Sequence, residues 1–95
     1  MPVFALTRFR TDDPAALRAD AALLLTALRQ RPGFLTGEYG TAADDPGLSA
    51  LLTTWDGVGS YRRALSAHEV KVAGAPVWLH AVDEPGVYLD DGAAE

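Results

Sequence analysis

The sequence predicts a single α+β domain whose elements run β-α-β-β-α-β, and three patterns carry that prediction. Residues 3–10 alternate in the period-two manner of a strand. Leu17, Ala21, Leu24 and Leu28 recur at i, i+4, i+7 and i+11, the stripe of an amphipathic helix. Residues 51–65 switch from aliphatic, β-branched and aromatic types to helical spacing within a few positions. A further strand before that stretch and a short one near the end complete the order, which is the ferredoxin-like split β-α-β arrangement.

Ninety-five residues suffice for one modest core, and the apolar fraction of 48% is that of a globular chain. Residues 1–89 are expected to form the domain, and residues 90–95 a frayed acidic tail. With no cysteine there is neither a disulfide framework nor a thiolate metal site. The N-terminus lacks a basic leader and no apolar run reaches spanning length, so a cytoplasmic protein with no membrane partner is expected. A net charge of −5 without a basic stripe argues against nucleic acid.

The first strand carries Val3, Ala5, Thr7 and Phe9 on one face and Phe4, Leu6, Arg8 and Arg10 on the other. Both faces hold apolar residues, so the one turned away from the protein's own helices wants a partner. Asp13 before Pro14 marks the start of the first helix, and Pro32-Gly33 its stop. Residues 34–41 read as a strand loosened by Gly37 and Gly40, with a bulge or a close backbone approach there. Residues 42–47 read as a longish loop by composition, and residues 48–55 as the third strand. Asp56 is placed to cap the following helix, whose Val58, Tyr61 and Leu65 share a face. Ser66 and Glu69 match a capping box for a further helix. Gly74 and Pro76 predict a break in that helix, with a second piece over residues 76–82. Residues 83–86 form a turn and residues 87–89 a last strand.

Among side chains with chemistry, Trp55 at the end of a strand and Tyr61 in the next helix can converge on one pocket. Large aromatics dominate core energetics, so burial is the competing role of Trp55, whereas the Tyr61 hydroxyl needs a partner wherever its ring packs. Histidine is the residue type suited to carrying protons near neutrality, so His68 is a candidate proton carrier, against the plainer fate of an exposed residue at a helix start. Tyr39 and Trp78 read as packing residues. His68, Glu69 and His80 lack the His-Glu-x-x-His spacing, so no metal site is expected.

With this order and these residues in hand, the chain resembles the antibiotic biosynthesis monooxygenase family. The marks are Arg31-Pro32-Gly33-Phe34-Leu35 after the first helix, Trp55 closing the third strand, and Tyr61-Arg62 beyond it. The resemblance implies a dimeric α/β barrel, in which a homodimer forms through the sheet and covers the second face of the first strand. It also implies cofactor-independent oxygenation of a small aromatic or polyketide-like molecule, in which O2 meets a substrate carbanion inside a dry pocket. Trp55 and Tyr61 match family positions lining that pocket. Leu51 stands where the family enzyme has Asn, and Lys71 is about a turn out of register with the family's helical Arg. A haem-degrading branch uses an Asn, a Trp and an axial His; Thr7 and Ala64 stand at the first two places and His68 lies too early for the third, so no haem is expected.

The candidate catalytic residues are therefore Trp55, Tyr61 and His68, and the candidate substrate-lining residues are Thr7, Phe9 and Leu51, with no cofactor. Two other readings stay open: a non-catalytic small-molecule binder or accessory subunit, and an isomerase or lactone-processing enzyme with His68 as the proton carrier.

Overall fold

A computed structural model describes residues 2–91. Its elements are β1 (Val3–Arg10), α1 (Pro14–Arg29), β2 (Phe34–Ala42), β3 (Asp45–Trp55), α2 (Val58–Ser66), α3 (His68–Trp78) and β4 (Val87–Leu89). The strands form one antiparallel sheet in the order β2-β3-β1-β4. β3 thus separates β1 from β2, and β1 separates β3 from β4. This is the ferredoxin-like arrangement that the periodicity predicts. The tail expected at residues 90–95 lies outside the described residues from position 92 onward; the Asp90 N–H still donates to the Pro2 carbonyl at 3.1 Å.

The helices cover one face of the sheet. Val3, Ala5 and Phe9 of β1 and Leu51, Thr53 and Trp55 of β3 are buried there, against Leu17, Leu24 and Leu28 of α1 and Val70 and Val77 of α3. Each large apolar side chain enclosed in this way contributes roughly 2 kcal/mol. Trp55 is the largest of them and is fully enclosed. Phe34 meets it edge-on at 5.2 Å and Tyr61 lies tilted at 5.7 Å. On the opposite face Phe4 stacks on Tyr88 at 5.9 Å, with Leu6 half-buried and Leu52 exposed.

α1 begins as its sequence dictates. Asp13 caps it, Oδ1 accepting from the Ala16 N–H at 3.2 Å, and Pro14 occupies the first turn, where no N–H is needed. Beyond its end Gly33 turns the chain with φ +88°, and a Cβ there would overlap Ser60 and approach Asp56 Oδ1 to 2.6 Å. Only glycine meets both demands.

Local signals fail in four places. Asp56 does not cap α2; Gly57 does so without a side-chain bond, while the Asp56 N–H donates to the Gly33 carbonyl at 2.9 Å. Ser66 and Glu69 form no capping box. Ala67 alone separates α2 from α3, so Ser66 still belongs to α2 and its hydroxyl donates back to the Arg62 carbonyl at 3.1 Å. Glu69 pairs instead with Arg31 at 3.1 Å. α3 runs unbroken through Gly74 and Pro76 to Trp78, because Val70, Gly74 and Val77 are all buried on one face and Pro76 falls near the end, where little ladder is lost. The loop at residues 42–47 shrinks to a tight turn. Asp45 accepts from Arg10 Nη1 at 2.8 Å and from the Gly47 N–H at 3.1 Å, while the Thr11 N–H donates to the Gly47 carbonyl, drawing the polar stretch into β3.

Smaller differences follow. The inward face of α2 is Ser60, Tyr61 and Ala64, leaving Val58 and Leu65 half-buried. The ladder irregularities of β2 fall between Phe34 and Thr36 and between Thr41 and Ala42, away from its glycines. Gly37 is instead a close approach, since a Cβ would come within 2.6 Å of Leu25 Cδ1.

Gly33→Ala is expected to destabilise the fold by more than about 2 kcal/mol, combining a strained backbone with overlap. Gly40→Ala, at an open strand position, is expected to change stability by no more than about 0.5 kcal/mol. Urea denaturation of the two variants checks the contrast, and similar midpoints would contradict it.

Candidate functional site

A hollow of about 430 Å³ opens between β1, the two later helices and the segment leading to β4. Thr7, Tyr61, Leu65 and Trp78 line it, together with Lys71, Ala81, Val82 and Glu84. Strand alternation sets Thr7 on the helix-covered side, between Ala5 and Phe9. Tyr61 lies on the buried side of α2 with Ser60 and Ala64. Trp78, the last residue of α3, lays its indole back across Gly74, where any Cβ would overlap the ring nitrogen. That glycine weakens a helix on paper and makes room for an aromatic wall in the fold.

The remaining wall is zipped to β1. The Arg10 N–H donates to the His80 carbonyl at 3.0 Å, the Val82 N–H to the Arg8 carbonyl at 2.8 Å, and the Leu6 N–H to the Gly86 carbonyl at 2.7 Å. Between the last two anchors the chain bulges and presents Glu84. Arg8 grips that carboxylate in a fork, Nε to Oε2 and Nη2 to Oε1, both at 2.7 Å. The hydrogen bond, and then the charge of Arg8, hold the Glu84 carboxyl below its usual range. Such an exposed pair adds little stability, but its two-pronged geometry fixes where the carboxylate sits.

Tyr61 is the lining residue whose aromatic ring carries a hydroxyl, and it is 9% exposed. Its ring is buried against Trp55, yet among the described residues its hydroxyl has no hydrogen-bond partner and is not sealed from the surface. Burial pushes the phenol above its ordinary value. At neutral pH the group is a neutral O–H donor facing a largely apolar space.

Architecture ties this geometry to known structures. Superposition on a cofactor-independent oxygenase from Streptomyces nogalater gives a TM-score of 0.85 over 95% of this chain and 93% of that one, at 19% identity. An antibiotic biosynthesis monooxygenase gives 0.77 over 96% and 97%, at 16% identity. Rv0793 from Mycobacterium tuberculosis gives 0.75 over 96% and 98%, at 22% identity. The chain has the antibiotic biosynthesis monooxygenase fold. No family model matches the sequence and no curated protein matches it, so the likeness to this fold is carried by backbone shape.

Within the monooxygenase fold, the six candidate residues separate into three groups. Thr7 and Tyr61 line the hollow together. Trp55, Phe9 and Leu51 lie in the core, at 0%, 0% and 3% exposure. The indole N–H of Trp55 is already donated to Thr53 Oγ1 at 2.9 Å, so it supports Tyr61 from behind. His68 lines a different space, a largely apolar groove of about 610 Å³ between α1 and α3, beside Glu69, Val72 and Pro76. Among the described residues no three His, Asp or Glu side chains are grouped so as to hold a metal ion. No helix of the described residues is long and apolar enough to cross a membrane.

Sequence reasoning missed Trp78, Lys71 and Glu84 as lining residues. A glycine four positions before Trp78 was a usable signal for the first. Nothing local marks Glu84, whose anchor Arg8 lies 76 residues away.

Because the folded state holds the Tyr61 proton more tightly, its contribution to stability is intact below the ordinary phenol value of 10.0 and is lost as the pH rises through the raised folded value. Thermal melts between about pH 8 and 11 are expected to show a smaller alkaline loss in Tyr61→Phe than in the unsubstituted protein. Identical alkaline slopes would assign that loss to other groups.

Proposed function

We propose that the chain is a cofactor-independent monooxygenase-like enzyme acting on a small aromatic or polyketide-like molecule in the Tyr61 hollow. The observation that carries this reading is the Tyr61 hydroxyl: neutral, backed by an enclosed tryptophan, and free of protein partners where it meets the hollow. A fixed donor in a low-dielectric space acts most strongly on an oxygen that gains charge during reaction. The likeness to a cofactor-independent oxygenase adds support.

The chemistry balances without a redox group. An activated ring methylene, acidified by neighbouring carbonyl and phenol oxygens, loses a proton to give a carbanion whose charge spreads onto those oxygens. The carbanion passes an electron to O2, and the two radicals join in a C–O bond to give a peroxide. Loss of the second C–H proton with cleavage of the O–O bond leaves a ketone and releases water, so CH2 and O2 become C=O and H2O. Tyr61 donates to the substrate oxygen on which charge accumulates, and the apolar walls exclude water from the carbanion. Oxygen uptake and product mass across a panel of phenols and quinols test this. Turnover is expected, with Tyr61→Phe slower by about a hundredfold. Equal rates would remove Tyr61 from the mechanism, and no oxidised product from any member would remove the oxygenase.

The working unit in this reading is a homodimer closed through its sheets. Phe4, Leu6, Leu52 and Tyr88 form an apolar surface on the side of the sheet away from the helices, which a second copy would cover. Light scattering is expected to give twice the chain mass, and Leu52→Glu to reduce it toward one copy; a single-copy mass for the unsubstituted protein would end this part of the proposal.

A second reading, a non-catalytic binder, draws on the packed, apolar Leu51 and Phe9 beneath the hollow, which leave Thr7 as the sheet's polar contribution. It calls for ligand-dependent thermal stabilisation without product. Any oxidised product would exclude it.

A further inference from the structure

The chain contains seven arginines and one lysine. That lysine, Lys71, lines the hollow. Among the described residues its side chain has no hydrogen bond and no ion pair, whereas the neighbouring acids are engaged: Glu69 by Arg31 and Glu84 by Arg8. The acid that lines the hollow is thus matched by its own cation, leaving Lys71 as uncompensated positive charge in a protein of net charge −5. Two turns further along the same helix stands a flat wall. The Trp78 indole is supported from beneath by Phe9, 6.1 Å away at 34°, and by the close approach of Gly74.

From this juxtaposition we propose that the hollow selects aromatic molecules carrying a permanent anion, a ring carboxylate above all, with Trp78 against the ring plane and Lys71 as counter-charge to the anion. This rests on the reading of the hollow as the substrate site, and narrows its substrate class from aromatic to aromatic and anionic. Three features favour it over a neutral aromatic. An ammonium gains more from a carboxylate than from a neutral oxygen, since the contact then joins two opposite charges rather than a charge and a dipole. Tyr61 supplies a neutral O–H from another side of the hollow and can donate to a ring oxygen without competing for the anion. The forked grip of Arg8 keeps the Glu84 charge compensated, and that charge would otherwise repel the same ligand.

The test separates ligand charge from turnover. Binding of 2-naphthoate and of its neutral isostere 2-naphthamide is measured by calorimetry on the full chain, with and without added salt. The carboxylate is expected to bind roughly fivefold to tenfold more tightly, with the difference shrinking as salt rises. Lys71→Met is expected to abolish the preference by weakening the carboxylate far more than the amide, and Lys71→Arg to restore most of it. Circular dichroism confirms that each variant folds, and because Lys71 is exposed on α3 neither substitution disturbs the core. Equal binding of the two ligands, failure of both to bind, or a preference that survives in Lys71→Met would each overturn the proposal. A charge preference without oxygenation of any phenol would leave this inference standing and remove the oxygenase. Oxygenation indifferent to both substrate charge and Lys71 would do the reverse.

Discussion

The contact on which the molecule depends is made where the Gly33 turn meets the junction of β3 and α2. The Gly33 carbonyl accepts from the Asp56 N–H at 2.9 Å, and its α-carbon lies so close to Ser60 that no side chain fits between them. Phe34 follows at once and places its ring edge on Trp55. Two stretches distant in sequence are fixed at this point: the exit of α1, and the end of β3 with the first turn of α2 that follows it. The enclosure of Trp55 is a result, and so is the setting of Tyr61, whose ring rests on that indole while its hydroxyl reaches the hollow. An indole whose own N–H is satisfied by Thr53 two residues away can serve as an inert floor.

Periodic signals in the chain were legible, as was the Asp13 cap before Pro14, while the short polar signals around α2 and α3 were not. β1 and α1 could be read because burial imposes a period on many residues at once, as with Leu17, Ala21, Leu24 and Leu28. Asp56, Ser66 and Glu69 misled because each satisfies a local rule by type, whereas α2 is capped by Gly57, the Ser66 hydroxyl bonds back to Arg62 within α2, and Glu69 is paired with Arg31. Pro76 and Gly74 misled for a related reason. A helix pinned by Val70 and Val77 tolerates a missing N–H in its last turns, and the glycine is needed beneath Trp78. The site divides the same way. Thr7 and Tyr61 could be placed by strand alternation and helix phase, while Glu84 arrives through a partner 76 residues away and leaves no trace in sequence.

The hollow is bounded by two aromatic assemblies that converge from opposite directions. Phe34, Trp55 and Tyr61 form one, and Tyr39, Phe9 and Trp78 the other, the latter anchored by the Tyr39 hydroxyl donating to Ser49 Oγ at 2.8 Å. Each contributes its last ring to the wall, keeps its middle ring, Trp55 or Phe9, in the core, and packs its first against that core. Rigid rings with few rotatable bonds make a wall that is preorganised, so little ordering is required when a flat ligand enters. Polarity is confined to a few fixed points on an otherwise apolar surface, the usual composition of a small-molecule site.

Tyr61 and Lys71 stand on different helices, and Ala67 alone joins those helices, in an extended conformation with φ −68° and ψ 139°. No slack loop buffers the distance between the two side chains. Lengthening this joint by one residue would swing α3 relative to α2 and resize the chamber, while the strand register beneath stayed as it is. This chain thus holds, at a single position, the joint that sets the spacing of two of the polar side chains around its hollow.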